Sequence, residues 1–127
     1  MRIALRVTQG LLGALGVVQV VLGVLLWTGH ALSSVPLHMG IGVLFVLALW
    51  ALAVLSARAG APIGLVVVAL SWGLFLLAFG VTQARLLPGP AHWVIQVAHL
   101  LTGIGAMALG GALTAGSRSA TRVPSQN

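Results

Sequence analysis

Four apolar runs, each more than twenty residues long, constrain this chain more than anything else in it: 3–28, 35–57, 62–84 and 91–114. At a rise of about 1.5 Å per residue, about 20 helical residues cross the hydrocarbon core of a bilayer. Only helices and closed barrels satisfy the backbone in lipid, and runs this long without alternation are helices. The expectation is an all-α transmembrane four-helix bundle formed by residues 1–114. The borders agree. Gly29 follows the first run, Ser33 or Ser34 can cap the second with Pro36 in its opening turn, and Arg58-Ala59-Gly60 ends it. Pro62 opens the third, Pro88-Gly89-Pro90 precedes the fourth, and no proline interrupts a run. The first run is too long for a secretory signal and lacks a convincing cleavage site, so it is read as a retained span. Residues 115–127, small and polar, read as a disordered cytoplasmic tail.

The charge pattern excludes whole classes of chemistry. Charged residues are 5% of the chain, against roughly 25% in soluble domains. There are six arginines, no Asp, no Glu and no Cys. Carboxylate acid–base pairs, calcium sites, thiolate nucleophiles and Cys-ligated metals are therefore absent. The net charge of +6 does not point to nucleic acid, because the arginines lie at the ends of the runs. Arg2, Arg6, Arg58, Arg118 and Arg122 fall on one side of a four-span topology and Arg85 alone on the other. Loops rich in arginine stay in the cytoplasm. Both termini and the middle loop are thus expected on the cytoplasmic side of a bacterial cytoplasmic (inner) membrane, which the chain crosses as a multi-pass protein. Trp27 and Trp93 fall at the outer border as interface anchors, while Trp50 and Trp72 lie deeper, as packing residues. Gly13, Gly16 and Gly23 share a face of helix one that admits a close neighbour, either within the chain or in a homo-oligomer.

Ionisable groups inside spans are rare and usually functional. Here they are all histidines, His30, His38, His92 and His99, expected together toward the outer side. His38 and His99 each have a glycine at i+4, Gly42 and Gly103, one turn inward on the same face. Below His99 the face continues with Ala106 and Gly110, and below His38 with Phe45 and Leu49. A side-chain-free trench beneath an imidazole suits a flat macrocycle. Two such helices facing one another could ligate iron from both sides, as in b-type haem. The alternative is that each imidazole simply hydrogen-bonds a neighbouring helix. The depths pose a condition: His99 lies about 10 Å inside Ala91-His92, whereas His38 lies only about 5 Å past Ser34. Pairing therefore requires helix four to begin beyond the interface.

The order of parts reads as a pseudo-two-fold repeat of helix pairs 1-2 and 3-4, which brings His38 and His99 to facing helices. Haem b, one per chain, is the expected cofactor. His92 and His99 are too close in height to serve two stacked haems. Gln19, Gln96 and Thr102, with Ser71 and Gln83 on helix three, are candidate hydrogen-bond partners for the ligands. Arg85 either clamps a haem propionate or snorkels to headgroups.

The segments Gln19-Val-Val-Leu22-Gly23, Leu37-His38-Met-Gly-Ile-Gly42 and Val97-Ala98-His99-Leu-Leu-Thr102-Gly103 carry a resemblance. Over about residues 7–113 the chain resembles a bacterial family of small four-span membrane proteins. In that family a Gln-bearing helix one precedes a Leu-His at the start of helix two, and a second His lies in helix four. Met39 and Thr102 depart from the family's more usual basic residue and Asn. The layout is also similar to that of larger four-helix b-type membrane cytochromes, which implies haem ligation and electron transfer, with a quinone or a redox protein as partner. Other readings are a structural or assembly subunit of a larger membrane complex, and an outward-facing copper or zinc site of His30, His38, His92 and His99.

Overall fold

The computed structural model describes residues 1–120. Four helices fill almost all of it: α1 (Arg2–Trp27), α2 (Val35–Arg58), α3 (Ile63–Thr82) and α4 (Trp93–Ala120). Short 3-10 turns at Leu32–Ser34 and Gln83–Arg85 precede α2 and follow α3, and no strand occurs among the described residues. All four helices are long and apolar enough to cross a membrane. Their bounds match the apolar runs except at the C-terminal end. There α4 continues to Ala120, past the expected boundary at 114, and at 28 residues it is the longest helix. The buried Ser117 explains the extension: its hydroxyl donates to the Thr114 carbonyl, so a small polar residue is absorbed into the helix rather than ending it. The rest of the expected tail, 121–127, lies outside the described residues.

Two glycines stop the first two helices by the same device. Gly29 (φ +77°) and Gly60 (φ +88°) adopt the left-handed conformation that side chains disfavour. After Gly29, the His30 amide reaches back to the Leu25 carbonyl (2.9 Å). After Gly60, the Ala61 amide reaches the Ser56 carbonyl (2.9 Å). These are Schellman closures, which satisfy carbonyls that would otherwise be left without donors. The chain reverses at each and the helices run up-down-up-down. Arg2, Arg6, Arg58 and Arg118 therefore share one end of the bundle. The Gly116–Pro62 approach closes α4 onto the start of α3 at that end. His30, His38, His92, His99 and Arg85 belong to the opposite half.

In lipid there is little hydrophobic gain from helix association, so close packing and interhelical hydrogen bonds hold the bundle. The core is a dry layer centred on Leu12, Val46, Leu49, Leu52, Ala106 and Leu113. Gly16 lets Met107 and Phe45 approach α1, and Gly73 seats the Trp50 indole on α3. The two deep tryptophans act as cross-helix pins. Trp50 Nε1 donates to the Leu70 carbonyl (3.0 Å) and Trp72 Nε1 to the Thr102 carbonyl (2.9 Å). Trp27 and Trp93 are exposed near helix ends. On the glycine face of α1, Gly16 and Gly23 are covered from within the chain, while nothing lies near Gly13.

Candidate functional site: a histidine pair between two helices

His38 lies one turn into α2 and His99 two turns into α4. Their rings face each other with centroids 6.4 Å apart and planes inclined by 63°. The second turn of α4 thus stands level with the first turn of α2 within the bundle. Both Nδ1 atoms are buried, and neither has a hydrogen-bond partner. A polar atom sealed in an apolar interior without a partner costs free energy of about 1–3 kcal/mol.

Each ring rests on a glycine of the preceding helix. A Cβ at Gly23 of α1 would stand 3.6 Å from His38 Cε1, and one at Gly80 of α3 would stand 3.4 Å from His99 Cε1. Phe79 also presents an edge to His99, with centroids 5.6 Å apart at 76°. Gly23, Gly80 and Phe79 escape a reading of the sequence because they act across helices. Gly80 precedes His99 by 19 residues, a spacing no single-helix periodicity reports.

The other expected site residues fall into three groups. Gln19 belongs to the site: its amide covers Gly42, with Nε2 2.6 Å from where a Cβ would be, and its Oε1 is buried without a partner. Phe45 and Ala106 are core residues. Gly110 is closed over by Leu12, Gln9 and Leu52, while Gly103 has open space beside it. Gln19 and Leu12 thus occupy the expected trench at Gly42 and Gly110, while the position below His99 at Gly103 stays open. The third group lies off the ring pair. Arg85 is exposed in its turn, Ser71 is exposed on α3, and Gln96 and Gln83 are half-buried. The Thr102 hydroxyl is committed to the His99 carbonyl (2.7 Å) rather than to a ring nitrogen.

His30 and His92 do not join the pair. His92 Nδ1 donates to the Leu86 carbonyl (3.1 Å), stapling the loop that carries Gly89 at φ +99°. His30 Nδ1 meets the Thr28 hydroxyl oxygen (3.1 Å), whose own hydrogen goes to the Val24 carbonyl (2.9 Å). No group of three or more His, Cys, Asp or Glu that could hold a metal ion occurs among the described residues. A four-histidine copper or zinc centre is therefore not assembled, since loop contacts engage two of the four. Two further polar atoms are buried without partners in the opposite half, Gln9 Oε1 and Ser56 Oγ. Comparison with protein-family models, curated proteins and solved structures finds no match to this chain.

Proposed function

We propose that this is a small b-type cytochrome of the bacterial cytoplasmic membrane, carrying one haem whose iron is held by His38 and His99. The carrying observation is the 6.4 Å separation of the two rings. An iron–nitrogen bond of about 2.0 Å, with the ring centre about 1.1 Å behind the nitrogen, gives about 6.2 Å between two imidazoles sharing one ion. The donor set fits as well: two imidazoles, with no carboxylate or thiolate in the chain to compete.

Haem held by His38 and His99 would supply one-electron redox chemistry, and ligation by two imidazoles would favour electron transfer over oxygen activation. The chain does the rest. The glycine seats at Gly23 and Gly80 fix the two rings, and Phe79 restricts rotation of His99. Gln19, whose amide lies against Gly42 one turn from His38, is a candidate acceptor for a ring N–H and would have to leave Gly42 to admit a macrocycle. Among the described residues, Arg85 is the arginine at the same end and would offset propionate charge. The matching seats, Gly23 under His38 and Gly80 under His99, support the reading of α1-α2 and α3-α4 as a pseudo-two-fold repeat. The arginine asymmetry supports cytoplasmic termini and a histidine pair near the outer surface.

The test is ligand deletion. His38→Ala and His99→Ala should each abolish the low-spin six-coordinate spectrum while the apoprotein still inserts, since losing a histidine makes a span more apolar. A normal spectrum in either variant would remove that residue from the iron.

A further inference from the structure

The end of the bundle remote from the histidines collects Arg2, Arg6, Arg58 and Arg118. Arg2 and Arg6 lie four residues apart on α1, hence on one face of it. Arg58 ends α2, the helix antiparallel to α1 and packed beside it. All three are exposed, and the sequence has no Asp or Glu anywhere to neutralise them. Three exposed guanidiniums on two adjacent helices make this level of the bundle strongly cationic.

The surroundings say what kind of anion. Ile3 (78% exposed) and Val7 (64%) alternate with the two arginines along α1, and Ile63 (71%) opens α3 just beyond the Arg58 turn. The surface is thus apolar and cationic at the same level. An acidic soluble protein would match the charge but leave the isoleucines and valine uncovered. A molecule with an anionic head and hydrocarbon tails matches both, and arginine adds bidentate geometry toward phosphate oxygens.

We infer that Arg2, Arg6 and Arg58 form a binding site for the phosphate headgroup of an anionic phospholipid, whose acyl chains lie along Ile3, Val7 and Ile63. The site is independent of the histidine pair and does not require haem. Each basic side chain near an anionic surface contributes about fivefold in affinity, so three together give about a hundredfold.

The test uses the full chain purified in neutral detergent, with phosphatidylglycerol and phosphatidylcholine as probes and native mass spectrometry counting retained lipid. The wild type should retain phosphatidylglycerol about a hundredfold more tightly than phosphatidylcholine, and the preference should fall as salt is raised. The Arg2→Gln/Arg6→Gln/Arg58→Gln variant should lose it, while Arg85→Gln, at the other end, should keep it. A triple lysine replacement, which keeps the charge but not the bidentate geometry, should retain part of the preference and serves as a folded control. Equal retention of the two lipids by the wild type would overturn the assignment, whatever the variants do. Displacement of phosphatidylglycerol by millimolar inorganic phosphate would also overturn it, making this a general anion site. So would finding an acidic protein bound in the lipid's place.

Discussion

Replacing Gly73 by alanine isolates the contact that locks α2 onto α3. A Cβ there would collide with the Trp50 indole nitrogen, and would stand 3.0 Å from Val46 Cγ1 and 3.1 Å from Trp50 Cδ1. None of these is the loose end of a flexible chain. Val46 is 1% exposed, and the indole is pinned by its 3.0 Å bond to the Leu70 carbonyl. Accommodating the methyl group means moving the ring and breaking that bond. Overpacking costs about 1–3 kcal/mol, and the lost hydrogen bond about 1 kcal/mol. Alanine returns about 1 kcal/mol through its better helix propensity. The net destabilisation is about 2 kcal/mol, roughly a thirtyfold shift in the folding equilibrium. Gly40→Ala is the matched control: it lies inside α2 with nothing within 4 Å, so only the propensity gain remains and stability should rise slightly. Reversible unfolding in mixed micelles, followed by circular dichroism and tryptophan fluorescence, reads both. Equal stability of Gly73→Ala and Gly40→Ala would refute the packing argument.

Ser56 is wholly buried and its hydroxyl has no partner, so Ser56→Ala should be neutral or stabilising by up to about 1 kcal/mol in the same unfolding assay. A loss of more than that would show that the hydroxyl is hydrogen-bonded in the membrane. Single cysteines at the exposed Ser33 and Ser119 should report orientation. An impermeant thiol reagent should label Ser33→Cys in intact cells and Ser119→Cys only after permeabilisation. The reverse pattern would turn the histidine pair toward the cytoplasm.

The elements were legible because span length and hydropathy are properties of one stretch of chain at a time. Gly29 and Gly60 could be recognised as stops for the same local reason, and the structure shows the closures they make. His38 and His99 stood out because an imidazole in a span is costly, and they are the two histidines that meet. What could not be read were features set by the register of one helix against another. These include the seats at Gly23 and Gly80, the Phe79 edge, and the burial of Gln9 and Ser56. The occupants of the trench at Gly42 and Gly110 are likewise set by a neighbouring helix. Small residues on one helix read as space, yet in a tightly associating bundle Gln19 and Leu12 from α1 fill that space. The end of α4 was placed too early because Gly, Ser and Arg resemble a tail in composition, whereas Ser117 is in fact buried.

The most direct measurement is the absorption spectrum of the protein purified in detergent from haem-replete cells, combined with pyridine haemochrome analysis against protein mass. Ligation by His38 and His99 predicts a Soret band, sharp α and β bands on reduction, and one haem per chain, all unchanged in a His30→Ala/His92→Ala double variant. A colourless protein, or two haems per chain, would contradict it.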